Sequence, residues 1–392
     1  MAKVILTADW HLGLQQWGDP RRENDVYKAA RYIVDFAASM KYPILLAGDI
    51  VDSVKPVEEA VDSLKQMQLT MIEQQTTAYC IQGNHDNTNK HWVEVVQRPG
   101  DLFGFFDIGG KTIDVDDNTK IYGVKGYTRK EILDELAQIE HPEEINILMM
   151  HTRCKEFIVY NDKNSNNWSF EEDLDYEKFC NLKLCVIGDT HISEVKTHNG
   201  ITFVSPGSIE LIKANEDIKK YIFIFDTETL SCTPVDISCD YIRIRSELIT
   251  NTSDLDTLIA TLTRLKVNER GTRAVIVIYY KAEVPDVLAR VNSLIVDNKE
   301  NVIIQSIVKS TRVKITEDDV KNVADEDADV DHIITITAFV EKELSNIENM
   351  KFGLSPCAQS LLQKMVNKDC EPSEAVVEYK SEIDKIYDKE AE

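Results

Sequence analysis

Five short segments of this chain combine carboxylate, amide and imidazole side chains at spacings that suit metal chemistry. They are Asp9-Trp10-His11, Gly48-Asp49-Ile50-Val51-Asp52, Gly83-Asn84-His85-Asp86, the lone His151 after Met149-Met150, and Gly188-Asp189-Thr190-His191. One D-x-H triplet means little by itself, because an Asp and a His two apart can simply cap a turn. A series of five is a stronger signal. Oxygen donors mixed with imidazoles suit borderline-to-hard divalent ions such as Mn²⁺. Such ions polarise phosphoryl oxygens and activate water.

Each segment follows an apolar run that reads as a buried strand: Val4-Ile5-Leu6-Thr7, Pro43-Ile44-Leu45-Leu46, Ala78-Tyr79-Cys80-Ile81, Ile145 to Met149, and Leu184-Cys185-Val186-Ile187. Layered α/β folds bind their ligands at such strand ends. Helical spacing runs from Tyr27 to Met40, and Val57, Val61, Leu64, Met67 and Met71 make a stripe down a second helix. The strands Gly200–Val204, Tyr221–Phe225 and Thr233–Ile237 follow with little helix between them, which predicts a second, more antiparallel sheet packed on the first. The α/β domain is therefore expected over 1–239.

The pattern restarts at Tyr241-Ile242-Arg243-Ile244, with a helix over Leu255–Leu265, a strand at Ala274–Ile278, a helix over Val287–Val296 and a strand at Val302-Ile303-Ile304. That is a compact second domain over 240–314. Between Glu317 and Asp331 eight acids face one lysine, Lys321, so 315–332 reads as a solvated acidic linker. Short helices over Ile333–Leu344 and Ala358–Val366 then form a tail over 333–392.

A net charge of −24 sets the 392-residue molecule against polyanions, so any nucleic-acid affinity must come from a bound cation or a local basic patch. The eight cysteines contain no C-x-x-C pair and read as reduced thiols. The first residues lack the apolar core of a signal peptide, and no run reaches the roughly 20 apolar residues of a membrane span. The expectation is a cytoplasmic protein.

In order and residue type the five segments resemble the calcineurin-like metallophosphoesterases. Within them the chain is most similar to the SbcD-type nuclease subunit of the double-strand-break repair nuclease-ATPase complex. Three further features carry that likeness: Asp9-Trp10-His11-Leu12-Gly13 followed by Arg21-Arg22-Glu23, the Ser205-Pro206-Gly207-Ser208 turn, and the small domain with its tail. The resemblance implies a four-layer α/β/β/α sandwich, a small α+β capping domain that contacts DNA, and a helical C-terminal tail that binds an SbcC-type ATPase. It implies one metal between Asp9, His11, Asp49 and His191 and a second between Asp49, Asn84, His151 and the residue at 189, with Asp49 shared. His85 would act on the substrate and Asp52 would orient it. The cofactor would be two Mn²⁺, or Mg²⁺, and the substrate DNA, cut exonucleolytically at duplex ends and endonucleolytically in single strands, in a bacterial or phage-infected cell. A homodimer is implied through the helices after the second and third motifs, where Val57, Val61, Leu64 and Met71 with Trp92, Val93, Val95 and Val96 supply that surface or face the core.

The chain departs from the family at Asp189, where most members carry His. Two dications and three aspartates leave 4 − 3 = +1, against +2 with His there. The expectation is that Asp189 is a ligand that makes the second ion harder and shifts activity to higher pH; the alternative is that it pairs with a neighbouring cation. Arg21 and Arg22, with Lys28 and Arg31, are candidates for DNA phosphate contacts or ordinary charge at a helix start. Trp10 and Trp17 either stack on a base or belong to the core. Thr152 to Leu174, with Lys155, Lys163, Asn164, Asn166, Asn167 and Trp168, either shapes the substrate entrance or is a solvated excursion. His91, His141, His198 and His332 read as surface or packing residues, and Asp86 has no assigned role. Competing functions are a phosphatase or small-molecule phosphodiesterase of the same superfamily, and a mainly architectural subunit that bridges DNA ends.

Overall fold

A computed structural model of the chain describes residues 3–86, 96, 101–116, 118–158, 167–213, 216–237, 241–264, 273–280, 290 and 302–308. The acidic linker, the helical tail, the helix over 287–296 apart from Arg290, and His91, Trp92, Val93, Val95, Lys163, Asn164, Asn166 and His332 lie outside the described residues. All the described residues belong to one compact unit, Met1–Thr311.

The chain opens with β1 (Lys3–Thr7), α1 (Pro20–Met40), β2 (Ile44–Ala47), α2 (Glu58–Glu73), β3 (Thr77–Ile81) and β4 (Gly104–Asp107). It continues through β5 (Lys111–Asp116), β6 (Thr119–Gly123), α3 (Arg129–Leu136), β7 (Ile147–His151), α4 (Phe170–Asp173) and β8 (Leu184–Gly188). Then come β9 (Glu194–His198), β10 (Ile201–Ser205), β11 (Tyr221–Asp226), β12 (Cys232–Asp236), β13 (Tyr241–Ile249), α5 (Thr252–Arg264), β14 (Arg273–Tyr280) and β15 (Val302–Val308). Helix α1 starts seven residues before its apolar stripe: the Asp19 carboxylate caps the Arg21 N–H at 2.9 Å and Pro20 presets the first turn. Thr128 and Glu131 form a reciprocal capping box at the start of α3.

The first sheet runs β12-β11-β1-β2-β3-β4 and the second β5-β6-β7-β8-β10-β9. This partition corrects the expected one. β7 and β8 form the middle of the second sheet, whereas β11 extends the first antiparallel to β1 and β12 pairs antiparallel with β11 at its edge. The physical reason is that strands covered on both faces read as continuous apolar runs, so their pattern does not say which sheet they join.

Alternate residues of each strand serve different layers. Val4 and Leu6 of β1, Leu45 and Ala47 of β2, Ile147 and Met149 of β7, and Leu184 and Val186 of β8 pack together between the two sheets. Ile5, Ile44 and Leu46 face the other way, onto Val26, Ala30, Ile33 and Val34 of α1 and Leu64, Met67 and Met71 of α2. On the second sheet's outer face Leu148, Met150, Cys185 and Ile187 meet Ile132 and Leu136 of α3 and Phe170 of α4. Four layers result, α/β/β/α. Leu64 and Met71, weighed as a dimer surface, are core residues, and so is Val96.

A third sheet, β13-β14-β15, is parallel throughout, with α5 crossing between β13 and β14. Val275 of β14 packs against Trp17. Among the described residues no helix is long and apolar enough to cross a membrane.

Candidate metal centre

All five motif segments sit at the C-terminal ends of parallel strands: β1, β2 and β3 of one sheet, β7 and β8 of the other. The pairing of β1 with β2 persists into the loops, with the Asp9 N–H donating to the Gly48 carbonyl at 3.1 Å and the His11 N–H to the Asp49 carbonyl at 2.9 Å. Asp9, His11, Asp49, Asp189 and His191 all adopt left-handed φ, at 52°, 49°, 51°, 78° and 57°. Each such non-glycine residue costs about 1–2 kcal/mol, so backbone strain is concentrated at the proposed chemistry. Two glycines make room for it. A Cβ on Gly48 (φ 87°) would stand 2.4 Å from His151 Nδ1, and one on Gly83 would stand 2.0 Å from Asp49 Oδ1.

Asp86 supplies the clamp. Fully buried, its carboxylate accepts the N–H groups of Ile50 (3.0 Å), Val51 (2.9 Å) and Gly83 (3.0 Å), tying the second and third motif loops together. Asp86 is therefore a scaffold residue.

Asp9, His11 and His191 form one group whose candidate ligand atoms lie within 4.8 Å of one another, and Asp9, Asp49 and His151 form another. Asp49 Oδ2 lies 3.3 Å from His151 Nε2 of its own group and 3.5 Å from His11 Nε2 of the other. Asn84 Oδ1 approaches His151 Nε2 at 3.1 Å. His11, Asp52 and His85 form a third group beside the first.

All four histidines are fixed through Nδ1. That of His11 donates to Asp52 Oδ1 (3.1 Å), that of His85 to the Asp52 carbonyl (2.7 Å), that of His151 to the Ala47 carbonyl (2.8 Å), and that of His191 to Glu216 Oε1 (2.8 Å). Such outer contacts set ring orientation and leave Nε2 for a ligand. His11 Nε2 is buried and has no hydrogen-bond partner. An orphaned nitrogen aimed at a buried carboxylate, among oxygen and imidazole donors, fits a divalent cation.

The electrostatics agree. Burial raises the Asp9 carboxyl above its usual range, against the pull of His191 and His151. Burial acts the same way on Asp49, but His151, His11 and the His85 N–H outweigh it and hold that carboxyl well below its usual range. His151, though buried, is pushed up to about 10 by Asp49, Asp9 and Asp189. The pocket strongly favours positive charge.

Several expected residues sit differently. The Asp52 carboxylate is nearer His11 (3.1 Å) than His85 (3.9 Å), so what holds His85 is the Asp52 backbone. Asp189 belongs to none of the ligand groups among the described residues; its Oδ2 lies 3.7 Å from Arg153 Nε, while its N–H donates to Asp9 Oδ1 at 3.0 Å. Arg22 corrects the expectation of a phosphate contact. It is 1% exposed and committed to Asp25 (2.5 Å), Glu210 (2.9 Å) and Gln16 (3.1 Å). Arg21 stays at the surface, paired with Asp19 at 2.5 Å. Trp10 is a core residue bonded to Thr7 and edge-on to Phe105, and Trp17 carries the Arg22 guanidinium over its ring. Trp168, Phe170 and Leu174 pack into the core, so the end of the 152–174 segment is not solvated. His141 pairs with Glu143 at the surface, and His198 lies against Phe170 and Tyr176.

Two further carboxylates, Glu216 and Glu210, carry no signal in the sequence. The Lys220 ammonium, itself buried, donates to Glu216 at 2.7 Å. Glu210 joins Arg22 to Arg243 of β13, at 2.9 and 2.8 Å. Both lie in the irregular stretch between β10 and β11, where no periodicity marks a buried carboxylate.

Residues 2–193 match the model of the calcineurin-like phosphoesterase family. The DNA double-strand break repair protein Mre11 of Methanosarcina acetivorans is 27% identical over 225 residues, 55% of this chain and 35% of that protein. Mre11 of Sulfolobus acidocaldarius is 24% identical over 264 residues, 63% of this chain and 65% of that one. The SbcD subunit of the SbcCD nuclease of Staphylococcus epidermidis is 24% identical over 211 residues, 48% of this chain and 56% of that one. The chain thus spans from about a third to two thirds of the length of these curated relatives. The matched residues contain every motif loop of the centre, and the domain they build belongs to the calcineurin-like metallophosphoesterases.

Proposed function

We propose that the chain is a two-metal phosphodiesterase that cleaves DNA as the nuclease subunit of a repair complex with an SbcC-type ATPase. The observation that carries this reading is the position of Asp49, within 3.5 Å of His11 Nε2 on one side and 3.3 Å of His151 Nε2 on the other. A carboxylate within reach of a histidine from each group would offset the repulsion of two nearby dications. Asp9, His11, Asp49 and His191 would hold one ion, and Asp49, Asn84 and His151 the other. Mn²⁺ suits the donor mixture, with Mg²⁺ the alternative. The bound ions supply Lewis-acid activation of the phosphodiester and of the attacking water.

The remaining work falls to the protein. Asp52, Glu216 and the Ala47 carbonyl hold His11, His191 and His151 in place. His85 is 41% exposed and fixed through Nδ1, so its Nε2 is the atom offered to substrate. From there it protonates the leaving oxygen or stabilises the transition state. A partner ATPase reconciles a DNA substrate with a net charge of −24 by supplying the cationic grip. Relatives named for double-strand-break repair and for a nuclease subunit support DNA over a small phosphodiester.

The test is cleavage of labelled single-stranded, hairpin and blunt duplex DNA in Mn²⁺ and in Mg²⁺, with and without the ATPase partner. His85→Ala should lose cleavage while binding metal like the parent. Hydrolysis of a small phosphodiester with every DNA left intact would overturn the nuclease reading.

A further inference from the structure

We infer that Arg153 is the residue that receives the substrate phosphate at the mouth of this centre, and that Asp189 is the positioning residue that holds it there. The inference rests on the phosphodiesterase reading above and deepens it. Arg153 follows the buried His151 by two residues, and its backbone is pinned: the Trp168 N–H donates to the Arg153 carbonyl at 3.1 Å, and the Lys155 N–H to the Trp168 carbonyl at 2.9 Å. The base of the side chain is therefore fixed to the rim. The side chain is 57% exposed, and Nε is the atom that meets Asp189 Oδ2, at 3.7 Å. That leaves both Nη groups as donors for an incoming oxyanion, the fork geometry that matches phosphate.

Asp189 is tied to the centre from the other side. Its N–H donates to Asp9 Oδ1 at 3.0 Å, and its φ of 78° turns the backbone there. Its carboxylate joins neither the Asp9-His11-His191 group nor the Asp9-Asp49-His151 group. An imidazole at 189 could not offer a guanidinium an anionic anchor; a carboxylate can. The Asp at this position thus gives up a nitrogen ligand and gains an anchored cation where a phosphodiester must pass the carboxylates of Asp9 and Asp49.

The experiment measures kcat and KM of the full chain in Mn²⁺ on a single-stranded oligonucleotide and on bis(4-nitrophenyl) phosphate, together with Mn²⁺ stoichiometry by calorimetry. Arg153→Ala should raise KM roughly tenfold on both substrates, with kcat within about twofold and unchanged Mn²⁺ stoichiometry. Its salt slope on the oligonucleotide should fall by roughly 0.7. Arg153→Lys should recover part of the loss. Asp189→Asn should raise KM about threefold, and add nothing once Arg153 is Ala. An unchanged KM in Arg153→Ala would overturn the inference, as would loss of one Mn²⁺ equivalent in Asp189→Asn, which would make Asp189 a ligand. A chain that cleaves only the small diester loses the nuclease reading, and Arg153 is then scored on that substrate; a chain that cleaves neither loses both.

Discussion

Two loops of this protein carry the same D-x-H spacing and nearly the same backbone, yet they do different things. Asp9-Trp10-His11 leaves β1 with φ of 52° and 49° at its outer residues, and Asp189-Thr190-His191 leaves β8 with 78° and 57°. In the first loop everything is buried: Asp9 belongs to two ligand groups, and Trp10 is an anchor in the core. In the second, Asp189 is 24% exposed and turned to Arg153, and the Thr190 hydroxyl meets the Ser205 hydroxyl at 2.5 Å. The histidines are alike, each fixed through Nδ1 by a carboxylate. Spacing and φ set where a side chain starts; burial and partner decide its role.

The largest difference between the loops should appear at their aspartates. Asp9→Asn keeps an oxygen for the Asp189 N–H but removes a charge from both ligand groups. Phosphodiester cleavage should fall by on the order of a thousandfold, the scale seen when one preorganised group leaves a buried centre. Because burial already raises the Asp9 carboxyl, its ionised form is costly in the metal-free fold. Urea unfolding in chelator should therefore show the variant at least as stable as the parent. A variant that retained a tenth of the parent's cleavage would erase the distinction between the loops.

That distinction was only half legible in the sequence. The motif loops were legible because the residues of each triplet or quartet are local, and strand ends can be read from the short apolar runs before them. Burial was not, because it depends on distant chain. Arg22 reads as surface charge until Glu210, 188 residues away, is seen against it. Strand allocation failed for a related reason: Leu148 and Met149 face different layers, yet both are buried. Glu216 lies 25 residues beyond His191 in an irregular segment without period or motif.

The second-largest effect belongs to the anchor. Trp10→Ala removes a fully buried indole, its bond to Thr7 and its edge contact with Phe105. A loss of about 3–5 kcal/mol in urea unfolding is expected. Glu216→Gln should come next, weakening Mn²⁺ binding by about 10–100-fold in calorimetry, the usual cost of losing the carboxylate behind a ligand histidine. An effect below threefold would mean that His191 is held by packing alone, unlike His11.

The smallest effect should be at Thr190, the counterpart of Trp10. Ser205 Oγ already donates its one proton to the Ile192 carbonyl at 2.7 Å, so the Thr190 hydroxyl must be the donor to Ser205. Thr190→Val therefore deletes a donor whose acceptor keeps its own bond, and no buried N–H or O–H is orphaned. The expected cost is about 1 kcal/mol or less, a melting shift of about 2–4 °C at most. A loss as large as that of Trp10→Ala would show that the second loop is anchored through its middle residue as firmly as the first. The partly exposed position of Asp189 would then need a cause other than a looser loop.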